Sequence, residues 1–288
     1  MNESTQRQAD EARDRPLDEA QKSYRTVLEQ QIVEAGEELR RPAPGLVLSS
    51  ISAGLDLGFG PFLMAVSLTL VGGAWSHQAT QILLANAYAA GFVFVVIGRS
   101  TLFTERTTSA VLPVLAGEAR MTDVLRLWSM ALVGNLIGAA LIAAIIAFLG
   151  PALEVVQPRA LAQIAHELVR QPWWVMLMSA VLAGWLMGLM SWLVTASRDT
   201  TGQILAVWMT AFVIGLIGLH HSIAGSIEVL MAVFAGAGPS LTDYGTFLVW
   251  AVIGNAVGGS CFVGLLKFGH ARAGNLQPAS ARDARFRT

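Results

Sequence analysis

The chain has 288 residues, 54% of them hydrophobic and 14% charged, with a net charge of −1 and a mean hydropathy of +0.55. A soluble globular chain carries roughly 25% charged residues, and here the deficit falls in five runs, 57–98, 127–153, 171–197, 200–227 and 244–266, that hold no Asp, Glu, Lys or Arg. Such runs exclude an ordinary soluble domain, the lone Cys261 excludes an internal disulfide or a thiolate metal cluster, and the near-neutral charge singles out no partner.

Residues 1–44 read as a charged cytoplasmic tail, too polar for a cleaved signal peptide. Within it Leu17, Ala20, Tyr24, Leu28, Ile32, Ala35 and Leu39 recur at three- and four-residue steps, the mark of an amphipathic helix that Pro42 and Pro44 end. That helix packs on the membrane domain's own loops, or serves as a lid or an oligomer contact. A helix crossing the hydrocarbon core needs about 20 mostly apolar residues, and the region 45–268 holds six segments: 46–71, 79–117, 124–149, 172–197, 201–236 and 243–267. The second and fifth are too long and too polar in the middle to be single rods, and are expected to be broken. Residues 269–288 form a basic tail. Arg40, Arg41, Arg106, Arg120, Arg126, Arg198, Lys267, Arg272 and Arg282 fall on one side, while on the other side the loops 72–78 and 237–242 lack Lys and Arg and the loop 150–171 has Arg159 and Arg170 only. The basic side is expected to be cytoplasmic, with both termini inside.

The two halves echo each other. "GNLIGA" at 134–139 returns as "GNAVGG" at 254–259, "VLAG" at 114–117 as "VFAG" at 233–236, and "AGLDLG" at 53–58 as "AGWLMG" at 183–188. Three segments per half is an odd number, so the halves insert with opposite orientation. The fold class is therefore an all-α membrane protein with an inverted 3+3 repeat, the plan of many transport proteins.

Two stretches resist a simple helix. "GRSTLFTERTT", 98–108, places Arg99, Thr101, Thr104, Glu105 and Arg106 at membrane depth, where charges tend to face a cavity. Its partner in the repeat is "LHHSIAG", 219–225, which carries His220 and His221 inside an otherwise uncharged segment. Non-helical backbone at that depth must line protein or water, so hydroxyls, rings and helix ends there suggest an ion path. The alternative is a pair of rings that bond between helices and carry nothing. The paired break favours a functional His221, whereas His220 points elsewhere if helical. Asp56 in the first segment either braces the break or lines a vestibule. Glu228, a turn and a half past the histidines, reaches toward the outer water. Asn135 and Asn255 of the GNxxG repeats read as bonds across closely packed helices.

At this point the sequence resembles the formate/nitrite transporters. The resemblance covers about 45–268 and rests on "LFT" at 102–104, "GNLIGA" in the third segment, "HSIA" at 221–224, the stretch from Tyr88 through Phe92 to Thr104, and the ungapped spacing from Gly184 to His221. It implies an aquaporin-like protomer with its own pore, assembled as a pentamer in a bacterial inner membrane. It makes His221 the central histidine and Thr104 the loop threonine. It places apolar constrictions at Phe92 and Leu102 on the cytoplasmic side and at Ile214 on the other, and counts Phe103 in the path. His220, Asp56, Tyr88 and Arg170 stand behind the path or in its vestibules. The substrate implied is a small monovalent anion such as formate or nitrite.

The chain departs from the family pattern where the usual glutamate is His220, where two asparagines are Gly184 and Gly225, and where the vestibule lysine falls on Leu168, with Arg170 or His166 as substitutes for its charge. Two other readings stay open: a pore for small neutral solutes, and a non-transporting scaffold that binds a partner through its tail. No enzyme, cofactor, metal or nucleic-acid partner is expected. HExxH, GxSxG and phosphate-loop motifs are absent, and "AHELVR" at 165–170 is half a zinc motif.

Overall fold

The computed structural model describes residues 21–274, and all regular structure among them is helical. The leading part of the tail helix, with Leu17 and Ala20, and most of the basic C-terminal tail lie outside the described residues. Helix α1 (Tyr24–Arg40) starts on Ser23, whose hydroxyl accepts the Thr26 N–H, and stops before Pro42. Its Leu28, Ile32, Ala35 and Leu39 face is buried, and it lies against the membrane helices. Gln31 Nε2 donates to Ser191 Oγ at 3.1 Å and the Tyr24 hydroxyl donates to Lys267 O at 2.6 Å. Burial pushes the Tyr24 pKa up to about 12, so this hydroxyl stays a donor. Lys267 Nζ in turn sits 4.4 Å from the Trp192 ring centroid, a cation–π contact. The Tyr24–Lys267 bond also puts both ends of the described chain on one face, here called the terminal side; the opposite face is the far side.

Among the described residues six helices are long and apolar enough to cross a membrane, so the chain is a multi-pass membrane protein. The first span is α2 (Ala43–Leu57) continued by α3 (Phe59–Val71) past Gly58. Pro44 sits in the first turn of α2, where its missing N–H leaves no bond unmade. The second span is α4 (His77–Ile97), a break, and then the half-helix α5 (Phe103–Ser109), followed by the short α6 (Leu112–Leu115). The third is α7 (Met121–Ala152). The loop expected over 150–171 contains a helix, α8 (Pro158–Val169), that buries Leu161, Ile164, Ala165 and Leu168; their helical spacing was a signal in the sequence. The fourth span is α9 (Trp173–Ala196). The fifth is α10 (Thr200–Ile217), a break, and the half-helix α11 (Ser222–Phe234). The sixth is α12 (Leu241–Cys261), which runs through a π-helical turn (Phe262–Phe268) into α13 (Gly269–Ala273).

The packing repeats with the sequence. The first span lies on the third, the fourth on the sixth, and the second and fifth meet in the middle. Both crossings are made by glycine. A Cβ on Gly54 would collide with the Asn135 carbonyl oxygen, and one on Gly184 with that of Asn255. Small residues allow this backbone approach, the main source of attraction between helices in lipid.

Candidate functional site

The two breaks have matching backbones. Arg99 (φ 57°) and Gly218 (φ 73°) both adopt the left-handed conformation just after the first rod of each pair. Leu102 (φ −100°, ψ 125°) and His221 (φ −103°, ψ 123°) then hold the same extended conformation as the residue before each half-helix. All four pairings follow the repeat: 99 with 218, 102 with 221, 103 with 222, 135 with 255.

Each break is held by one asparagine. Asn135 Oδ1 accepts from the Phe103 N–H at 2.7 Å, and its amide donates to Ser50 O at 2.8 Å and Thr101 O at 2.9 Å. Asn255 Oδ1 accepts from the Ser222 N–H at 2.8 Å, and its amide donates to Ala180 O at 2.8 Å and His220 O at 3.0 Å. Both side chains are fully buried. A broken helix frees backbone groups that lipid cannot satisfy, and these amides satisfy them from inside the protein. The sequence reading of Asn135 and Asn255 as bonds across helices was right about the chemistry but missed the breaks as their partners. Their 120-residue separation, one residue from that of the breaks, was the available signal.

The half-helices bring Thr104 and His221 together. His221 caps α11 with its own ring: Nδ1 accepts from the N–H groups of Ile223 at 3.3 Å and Ala224 at 3.2 Å. That assignment leaves the ring proton on Nε2, which lies 2.8 Å from Thr104 Oγ1. Nε2–H therefore donates to Thr104, and the threonine's own hydroxyl proton is left to serve a further acceptor. Phe92 meets the His221 ring edge-on, centroids 5.0 Å apart, and Tyr88 stacks behind Phe92 at 5.1 Å. His221, Thr104, Phe92, Leu102 and Ile214 are all buried.

Two cavities approach this pair from opposite faces. The far-side cavity, about 520 Å³, has Tyr88, Ile214, Leu168, Arg170, His221 and Glu228 in its wall. The terminal-side cavity, about 750 Å³, has Arg99, Ser100, Glu105, Arg106 and Arg198 on one wall and Glu34, Glu37 and Glu38 of α1 on another. Phe92, Leu102 and Thr104 line neither cavity; Phe92 lies along α4 between Tyr88 of the far-side wall and Val96 of the terminal-side wall, and Thr104, bonded to His221 of the one wall, is the chain neighbour of Glu105 of the other. Phe103 turns away toward Trp128, ring centroids 6.5 Å apart, and lines neither cavity.

The remaining sequence candidates divide. Asp56 accepts from Ser52 Oγ at 3.0 Å and Ser100 Oγ at 3.2 Å, and so braces the first break. His220 braces the second. Its Nε2 donates to Leu168 O at 3.0 Å, and its Nδ1 accepts from Ser179 Oγ at 2.8 Å. A carbonyl can only accept, which fixes this tautomer. Both ring nitrogens of His220 are thereby engaged. Arg170 reaches the far-side cavity but is paired with Glu167 at 2.6 Å. His166 lies instead in a separate surface hollow with Asp243. No room exists for the family's asparagines, since a Cβ on Gly225 would strike the Phe247 ring just as one on Gly184 strikes Asn255. Thr101, one of the hydroxyls expected at membrane depth, donates to Glu38 Oε1 at 2.7 Å and thereby ties α1 to the first break, a partner 63 residues away that the sequence did not indicate.

Comparison with known proteins agrees with this geometry. The family model "Formate/nitrite transporter" matches residues 25–269. The chain is 30% identical over 256 residues to "Inner membrane protein YfdC" of Escherichia coli (strain K12), covering 86% of this chain and 79% of that protein. Among solved structures it resembles an "FNT family ion channel", with TM-score 0.74, 23% identity, and 86% and 98% of the two chains covered. It also resembles a "Pentameric formate channel with formate bound", with TM-score 0.64, 22% identity, and 78% and 96% covered. The aquaporin-like protomer expected from the sequence is the fold of these channels. With its family model matched across every membrane span and both broken helices in place, the chain belongs to the formate/nitrite transporter family, whose members are channels and transporters and not enzymes.

Proposed function

We propose that each protomer is a conduit for small monovalent anions of the formate and nitrite type, with the His221–Thr104 pair as its midpoint. The observation that carries this reading is the 2.8 Å contact between His221 Nε2 and Thr104 Oγ1, made where two interrupted helices meet between two cavities. A bare anion in a dry apolar passage is strongly disfavoured. Here the passage offers hydrogen-bond donors in the middle and apolar side chains, Phe92 and Leu102 on one side and Ile214 on the other, that keep it narrow. An anion arriving at the pair takes the Thr104 hydroxyl proton or the His221 Nε2–H as its donor. Holding Nδ1 in the cap keeps Nε2 turned to the path, so the ring serves as a fixed donor.

The basic face is read as cytoplasmic, with both termini inside and the protein in a bacterial inner membrane. The positive-inside rule supports that orientation, the likeness to an inner membrane protein supports that membrane, and the pentameric formate channel it resembles supports assembly as a homo-pentamer. A second reading, a pore for small neutral solutes, has one observation in its favour. Leu168 stands at the family's lysine position, and the one arginine in the wall of the far-side cavity is paired with Glu167.

The test is uptake of formate, nitrite, chloride and glycerol into proteoliposomes at pH 5.5 and 7.5. Formate and nitrite should enter well above the empty-liposome rate. His221→Ala should lower their uptake at least about tenfold, which corresponds to about 1.4 kcal/mol of lost stabilisation in the path. Glycerol entry without anion entry would establish the neutral pore, and an unchanged flux and pH response in His221→Ala would remove the histidine from the mechanism.

A further inference from the structure

The far-side cavity holds a group that the conduction path above does not use. Glu228 lies on α11, seven residues past His221, and is only 6% exposed, yet it forms part of the cavity wall. Among the described residues it has no hydrogen-bond or ion-pair partner. Tyr88, on the same wall, is 4% exposed and its hydroxyl is also without a partner. An ionisable side chain at membrane depth is costly unless paired, so one left open to a cavity marks a working group.

Among the described residues, no Lys and no unpaired Arg lines its cavity. Around α11, the titratable groups of α4 are Tyr88 and, at the cavity rim, His77. From α8 and its C-cap come Glu167 and Arg170, which hold each other, while Arg159 and His166 of α8 line other hollows. His220 and His221 at the break have both ring nitrogens engaged. Tyr244 of α12 donates to Ser226, and Asp243 is held at the Ser240 cap. Asp56 of α2 is bound to the serines of the other break. Glu105 and Arg106 of α5 belong to the opposite cavity, and Asp123 and Arg126 of α7 sit at its terminal-side end. The α3 segment contributes no titratable residue.

We propose that Glu228, with the Tyr88 hydroxyl on the same wall, forms a protonation-dependent anion site in the far-side cavity. As the acid, Glu228 donates an O–H to an entering anion, a short charge-assisted bond of the stronger kind. As the carboxylate it repels that anion, with no Lys and no unpaired Arg in the cavity wall to cancel the charge. Anion entry from the far side therefore falls as pH rises through the titration of Glu228. This inference rests on the anion-conducting reading given above and adds a specificity element to it.

The experiment is nitrate and formate uptake into proteoliposomes carrying wild type, Glu228→Gln, Glu228→Asp or Tyr88→Phe, at pH 5.5 and 9.5. Nitrate stays charged at both values, so its own titration adds nothing. Wild-type nitrate uptake should drop about tenfold at pH 9.5, the size of one unit charge acting across a narrow cavity. Glu228→Gln should remove that drop, because its amide remains a neutral donor at both pH values. Glu228→Asp should keep the drop, and Tyr88→Phe should lower uptake about threefold with the pH ratio unchanged, the loss of one neutral donor. A Glu228→Gln profile that overlies the wild type, or a wild type with no pH drop, overturns this inference while leaving the conduit in place. A wild type that passes no anion at either pH overturns the conduit and this site together.

Discussion

The break that ends on Leu102 and the break that ends on His221 share a scaffold and differ in chemistry. Each has one left-handed residue, one extended residue before the half-helix, and one buried asparagine that binds a backbone N–H and two carbonyls. On that common frame the first break presents an apolar side chain, Leu102, and opens toward a cavity lined by charges of both signs. The second presents an imidazole and opens toward a cavity with one unpartnered carboxyl. The lesson is that the repeat conserves the means of breaking a helix in lipid, where every backbone group must be satisfied, and leaves the side chains at the break free to diverge.

Three perturbations probe this comparison. The largest effect is expected from Asn135→Ala and Asn255→Ala. Each deletes three buried hydrogen bonds and strands their backbone partners, at about 1–3 kcal/mol per group, so each should destabilise by more than about 3 kcal/mol. Thermal unfolding of the detergent-solubilised protein reads this, and a loss at one site but not the other would show that the two latches are not equivalent. Next come Gly54→Ala and Gly184→Ala, which push a methyl into a carbonyl at the two helix crossings. Overpacking of this kind costs typically 1–3 kcal/mol, and the same unfolding measurement should find the two equal within error. The smallest effect separates the halves. Arg99→Gly should stabilise by up to about 1 kcal/mol by relieving a left-handed arginine, whereas Gly218→Ala should destabilise by about as much. Opposite signs at matched positions would show that the first half accepts backbone strain to keep a cation in the terminal-side cavity.

Much of the architecture was legible from the residues. The uncharged runs announced six spans, because hydrocarbon tolerates few charges, and the odd number of spans per half required the inversion. The pairing of "TLFT" with "LHHSIAG" was readable from the shift of 119–120 residues that relates "VLAG" to "VFAG" and "GNLIGA" to "GNAVGG". The helix α8 was passed over because it lies between two strong membrane signals and is short, although Leu161, Ile164 and Leu168 share a face. Phe103 enters the path through the resemblance; its backbone N–H is held by Asn135 and its ring lies edge-on to Trp128, contacts between remote segments that the sequence did not indicate.

By itself, then, the sequence determined what must be buried in lipid, how many times the chain crosses, and where the rods break, since these depend on local composition and on the backbone's demand for hydrogen bonds. Only the tertiary structure decided which polar groups find partners. The two histidines are adjacent in the chain, yet His220 is spent on Ser179 and Leu168 while His221 meets Thr104, 117 residues away. Arg170 is paired and Glu228 is not. Such outcomes depend on distances of a few ångströms between segments remote in the chain, and hydrogen bonds and ion pairs are decided at that range.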